Sequence, residues 1–255
     1  MIMKKNFLPI IALALSATAC VSDADLDVAD NKGYINVSVS ADNSMETRAS
    51  ATVSNTESWI KKVDDVVWNS STGYKAGEHT VSVSNYATET TALNANEGWG
   101  YMFFKGETKV TVNKGETVTA EVDCGTAKNA RLSVNFNLPS VFTAYSVKAT
   151  TTDTERNRQD FTFNSSTGEK KAYFKASERL QYELTYTYGN NSPQTISGKQ
   201  IKLGKAATDN IINISANDNG KITITIKADE NFSEGQSETI TIDAATGNEV
   251  PSSQK

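Results

Sequence analysis

The 255-residue chain carries one imidazole, His79, and two thiols, Cys20 and Cys124. A hydrolytic triad needs an imidazole to shuttle the nucleophile's proton. His79 opens the alternating run Thr80–Val83, which reads as a cap or surface position on a strand. Glycoside hydrolysis needs only two carboxylates, and the most suggestive pair is Asp64-Asp65. As neighbours in a strand they point to opposite faces, the wrong geometry for a dyad. Asp23-x-Asp25-x-Asp27 opens like a calcium loop, but such a loop needs glycine at its sixth position and glutamate at its twelfth. Those positions hold Val28 and Tyr34. Asn217-Asp218-Asn219-Gly220 reads better as a hairpin turn, in which Asn-Gly supplies positive φ. No His/Cys/carboxylate set has zinc spacing. The expectation is a chain that is not an enzyme, with no catalytic residue, metal or cofactor.

Aromatic side chains offer a different chemistry. Trp59, Trp68, Tyr86, Trp99 and Tyr101 crowd one stretch, and aromatic rings stack on flat apolar faces such as those of sugars. Trp99 stands between Gly98 and Gly100, so its ring reads either as projecting from a loop or as core. Trp68 reads as packing between sheets. Trp99, Tyr101 and Tyr86 are therefore the candidate ligand platform. Cys124 ends the strand-like run Val118–Val122 and reads as a small buried hydrophobe.

The elements that must position these groups begin after a leader. Lys4 and Lys5 precede an apolar stretch from Phe7 to Leu15 and the small residues Ser16-Ala17-Thr18-Ala19-Cys20. A charged start, a short apolar run and small residues make a secretory signal, too short to span a bilayer. The run ending at Cys20 resembles the lipobox of bacterial lipoproteins, although Ala17 stands where that pattern favours leucine. The resemblance implies removal of residues 1–19 and palmitate-type lipidation of Cys20, anchoring the protein to a membrane by more than one chain. Asp23, Asp25, Asp27 and Asp30 then make residues 20–32 an acidic tether. Acids behind a lipidated cysteine resemble the surface-export signals of Bacteroidetes lipoproteins. With Cys20 lipidated, Cys124 has no partner for an internal disulfide.

A net charge of −5 and a pI near 5.1 argue against nucleic acid as a partner, which calls for a basic face. Hydrophobic residues make up 38%, while Thr and Ser number 30 and 25, the composition of strands with wide polar faces. Period-two alternation runs through Tyr34–Ser40, Lys109–Val112, Leu132–Phe136, Tyr145–Ala149, Phe161–Phe163, Tyr182–Tyr188, Ile211–Ile214 and Lys221–Lys227. Lys61–Trp68 is the one short helical candidate. Asn69-Ser-Ser-Thr-Gly73 reappears as Asn164-Ser-Ser-Thr-Gly168, Ala76-Gly-Glu78 as Ala176-Ser-Glu178, and Tyr34–Ser40 corresponds to Arg131–Asn137. Three matches in one order at nearly constant offset indicate a duplicated unit. The expectation is all-β: two tandem antiparallel β-sandwich domains, 33–128 and 129–246, with 247–255 as a flexible tail.

The order of several segments carries a further resemblance: the opening Gly33-Tyr-Ile-x-Val-x-Val strand, Glu46-Thr-Arg48-Ala49, Tyr74-x-Ala-Gly-Glu-His-Thr-Val81, Gly98-Trp-Gly-Tyr-Met-Phe-Phe-Lys-Gly106 and Val122-Asp-Cys124 running into Asn129-Ala-Arg-Leu-Ser-Val134. It resembles a Bacteroidetes surface lipoprotein family catalogued as a domain of unknown function, and is similar to fimbrillin-like lipoproteins. The resemblance implies a fimbrillin/transthyretin-like or Ig-like fold and an adhesive or fimbria-associated role at the outer membrane. Proteolytic maturation would fall at Arg48, with Tyr34–Ser40 displaced and replaced by a partner's strand. Read as an ordinary surface residue, Arg48 implies nothing of the kind. The other class of function is glycan capture on the aromatic platform.

Overall fold

Apolar residues at every second position, Ile35, Val37 and Val39, put one face of strand β1 (Lys32–Ser40) against a core and leave Asn36, Ser38 and Ser40 outside. The computed structural model describes residues 31–41, 59–167, 170–197, 200–217, 220–228 and 238–250. In its first half β1 is followed by β2 (Ile60–Val63), β3 (Val66–Val67), β4 (Tyr74–Lys75) and β5 (Gly77–Ser84). Then come a short helix α1 (Glu89–Asn94), β6 (Lys105–Val112) and β7 (Thr117–Asp123). The second half holds β8 (Ala130–Asn137), β9 (Phe142–Thr151), β10 (Asp160–Asn164), β11 (Ala172–Phe174) and β12 (Arg179–Tyr188). It continues with β13 (Gln194–Ser197), β14 (Ile201–Lys202), β15 (Asp209–Ala216), β16 (Lys221–Ala228) and β17 (Glu238–Asp243).

The topology repeats. One sheet of the first half has the order β4-β1-β7, and its counterpart is β11-β8-β15, extended by β16 and β17. The other has the order β3-β2-β5-β6, matched by β10-β9-β12-β13, with β14 also pairing β12. The repeated turn sequence lies between equivalent strands, before β4 and before β11. Antiparallel pairing dominates, but each half also contains one parallel pair: β1 with β7 from Tyr34↔Thr117 to Ser40↔Asp123, and β8 with β15 from Asp209↔Arg131 to Ser215↔Asn137. Alternation specifies which face a side chain takes but not strand direction, so the purely antiparallel expectation needed this correction.

Two hydrophobic cores result. Ile35, Val37, Val63, Val81, Val83, Val112, Ala120, Val122 and Cys124 make the first, with Trp59 and Trp68 packed against it. The second is larger and gathers Leu132, Val147, Phe161, Phe163, Phe174, Leu180, Tyr182, Leu184, Tyr186 and Ile212, among others. Each fully buried aliphatic or aromatic side chain contributes about 1.5–3 kcal/mol. Gly33 fixes how deeply β1 seats, because a Cβ there would lie 2.3 Å from the Asn113 carbonyl oxygen and 2.6 Å from that of Glu116.

Three local expectations are revised. Lys61–Trp68 is a β2–β3 hairpin, not a helix: Asp64 and Asp65 have φ of 48° and 64° and form its turn. The helix lies at α1, where the Thr88 hydroxyl caps the Thr91 amide at 3.1 Å. The chain from Gly247 does not fray at once: Glu249 bridges to Ile242, and the Val250 amide donates to Thr241.

Candidate functional site

His79 Nδ1 lies 2.6 Å from Asp64 Oδ2, and Nε2 lies 2.7 Å from the Lys75 carbonyl oxygen. Asp64 Oδ1 also accepts the Thr80 amide at 2.9 Å. The hairpin turn that takes Asp64 and Asp65 out of a strand is what brings Asp64 to His79. Burial alone lowers the imidazole's pKa, but bonds to Lys75 and Asp64 outweigh it and the net shift is upward. The bonds from His79 and Thr80 hold Asp64 below the usual carboxylate range. An imidazolium donating to two acceptors leaves no ring nitrogen to deprotonate a nucleophile. Asp64 thus ties the β2–β3 turn to β5, and His79 reaches on to β4 through the Lys75 carbonyl.

Trp99 does not project. Its side chain is 3% exposed, with its ring edge-on to Phe161 at 5.6 Å and Phe163 at 5.3 Å. Arg158 and Lys170 lie over the ring at 5.0 and 5.3 Å. As an exposed ligand platform Trp99 is therefore excluded; the flanking glycines serve close docking instead. Gly98 and Gly100 have φ of 85° and 81°, and a Cβ on Gly98 would sit 2.5 Å from Arg158 Cβ. Residues 88–101 thus form an arm that leaves the first half between β5 and β6 and completes the second core.

Arg156, in the β9–β10 connection, holds that arm. It is 4% exposed, and its guanidinium donates to the carbonyls of Leu93 (3.1 Å), Gly98 (2.6 Å) and Tyr173. The Phe161 and Phe174 rings lie 4.7 and 4.9 Å from it. Burial pulls its pKa down to about 10, which still leaves it charged at neutral pH. Beside it, Asn94 accepts the Asn157 amide and donates to the Glu155 carbonyl, and the Tyr173 amide donates to Trp99. A second buried charge, Arg131, pairs with Asp209 across the parallel β8–β15 ladder. Sequence reading missed Arg156; a lone arginine in a polar loop gives no periodic signal.

Tyr101 and Tyr86 stay outside the core. Tyr101 is 46% exposed, and its ring is nearly parallel to that of Tyr86, at 12° and 6.4 Å between centroids. Cys124 is buried and its thiol pKa is pushed up, chiefly by burial, which suits a packing role. Cys20 and Arg48 lie outside the described residues. Among the described residues no group of three or more His, Cys, Asp or Glu could hold a metal, and no helix is long and apolar enough to cross a membrane.

Two repeated β units over separate cores, joined by an arm that one lends the other, define a tandem β-sandwich protein. The chain belongs to the family described as a domain of unknown function, DUF4493, whose model matches residues 10–244. No curated protein matches it. Among solved structures it is similar to a candidate cell adhesion protein from Bacteroides ovatus, at 11% identity and a TM-score of 0.41, over 78% of this chain and 96% of that one. A fimbrial assembly protein from Parabacteroides distasonis gives 12% identity and a TM-score of 0.38, over 66% and 74%. A candidate cell adhesion protein from Bacteroides uniformis gives 9% and 0.33, over 65% and 78%.

Proposed function

We propose that the chain is a non-catalytic lipoprotein, anchored through Cys20 to the outer membrane and exposed at the cell surface, that serves adhesion or a fimbria-associated structure. The observation that carries this reading is the seat of β1. It is the central strand of β4-β1-β7, buries Ile35 and Val37, and takes both neighbours from later in the chain. Its departure leaves a groove whose walls remain covalently joined, and extended segments of a partner fill such grooves with main-chain hydrogen bonds and alternate side chains. Arg48, between β1 and β2, stands where cleavage releases β1, as the fimbrillin resemblance implies. The two units meet at Lys128–Asn129.

N-terminal sequencing of surface-extracted, assembled protein tests the release step, with Ala49 expected as the first residue. Assembled chains that still begin at Cys20 sink it. Lipid labelling with protease shaving of whole cells, wild type against Cys20→Ala, tests the anchor; label on Cys20 with protection from shaving places the body inside the cell envelope. A second reading, glycan capture, draws on the Tyr86–Tyr101 pair and supplies a ligand for the same surface role.

A further inference from the structure

The duplication sets each position of one unit against a counterpart in the other. Aligned on the Asn-Ser-Ser-Thr-Gly turn and the strand registers, Val66 and Trp68 of the first unit stand where Phe161 and Phe163 stand in the second, and Tyr74 stands where Phe174 does. In the second unit these three rings are 0, 1 and 0% exposed, because the arm lies on them. Trp99 is edge-on to Phe161 and Phe163, and the Tyr173 amide donates to the Trp99 carbonyl at 2.9 Å. The first unit presents the same face uncovered. Val66 is 69% exposed, and Trp68 and Tyr74 are half-buried. The Gly73 amide, counterpart of the Tyr173 amide, has no partner among the described residues.

A single exposed valine is ordinary, but Val66 has a direction. It pairs with the buried Val63, so its side chain continues the core-facing side of β2 that the arm covers in the other unit. Val67 pairs with Lys62 and takes the opposite face, since side chains alternate along a strand. Trp68 is held in place: its Nε1 donates to the Ile35 carbonyl at 2.8 Å, and Lys61 lies over its ring at 5.0 Å. A wall fixed before a partner arrives lowers the ordering cost of binding. The units differ in what they can lend. The arm leaves the first unit between β5 and β6, in residues 85–104, whereas the equivalent β12–β13 connection spans only 189–193 and contains no aromatic residue. A second copy therefore has no arm to spare, because its own Trp99 is committed to its own second core.

We propose that the face formed by Val66, Trp68 and Tyr74 receives an aromatic arm from a different β-sandwich subunit, a loop whose ring is flanked by residues of positive φ as Gly98 and Gly100 flank Trp99. This rests on the fimbria-associated role given above and names the partner's chemistry. The chain takes an arm at its first unit and gives none from its second, so it ends a head-to-tail row. The probe is a fluorescein-labelled peptide of residues 88–101, titrated by anisotropy into the full chain bearing Cys20→Ala to keep it free of lipid. Saturable binding is expected, weakened fivefold or more by Val66→Glu in the chain or Trp99→Ala in the peptide, and unchanged by Val67→Glu. Because Val66 is exposed, Val66→Glu should melt at the wild-type temperature. Absence of binding overturns the proposal, as does equal affinity for the Trp99→Ala peptide or the Val66→Glu chain, or an equal loss in Val67→Glu. In cells, Val66→p-benzoylphenylalanine is expected to crosslink to an aromatic-bearing loop of another protein; a crosslink to a second copy, or none, rejects that partner. A chain without the crosslink that is still cut at Arg48 and assembled loses the arm and keeps the surface role.

Discussion

His79 shows how a residue suited to catalysis is spent on structure. Its two ring nitrogens face a carboxylate and a carbonyl, so the doubly protonated form satisfies both. The folded pKa lies above the ordinary 6.5. The stabilisation is therefore fully present below that unfolded value and is lost as pH rises through the folded one. Asp64 acts at the other end of the scale: its depressed pKa means its share is lost only when acid protonates it in the fold. Thermal melts of wild type and His79→Gln across pH 5.5 to 8.5 should converge as pH rises, with the variant less stable at the acidic end. Parallel profiles refute the imidazolium assignment. Glu89 is the opposite kind of case, because burial raises its pKa and its ionised form costs stability at neutral pH. Glu89→Gln should raise the melting temperature at pH 7, and an unchanged or lower value argues against that cost.

At the scale of elements, alternation made most strands legible. Ile35, Val37 and Val39 announce β1, and the Ile222, Ile224 and Ile226 series announces β16. The repeated Asn-Ser-Ser-Thr-Gly turn pointed to equivalent positions before β4 and β11. Elements without a periodic face were missed. Strands β13 and β14 are short, and α1 is a six-residue helix defined mainly by its Thr88 cap. Trp99 could not be assigned because its burial depends on Phe161 and Phe163, far along the chain, and flanking glycines serve a projecting ring and a docked one equally. The adjacent acids of the β2–β3 turn defeated a strand reading because their backbone is left-handed. The seating of β1 supplies a prediction here. Gly33→Ala places a methyl group against two carbonyl oxygens, and overpacking of this kind costs about 1–3 kcal/mol. Limited proteolysis should cut between β1 and β2 faster in the variant; an unaltered rate shows that β1 tolerates the methyl group.

For the whole molecule the decisive contact is the arm. Two cores with separate strands could melt independently, but Trp99 and the carbonyls of Leu93 and Gly98 join the first half to the second through Arg156. Arg156→Ala strands three carbonyls and leaves a void under two phenylalanines, a combination that costs about 3 kcal/mol or more. Chemical denaturation followed by calorimetry should show one cooperative transition for wild type and two for Arg156→Ala, the second half unfolding first. Two transitions in wild type, or one unshifted transition in the variant, reject the coupling. The arm also imposes an order of assembly. During synthesis, which proceeds from the N-terminus, β1 through β7 can close the first core before β8 exists. Trp99 then waits without a core until Phe161, Phe163 and Phe174 have followed. The half made first carries part of the template for the half made second, so the newly made chain passes through an interval in which a large indole is exposed. Any escort the new chain needs must cover that ring.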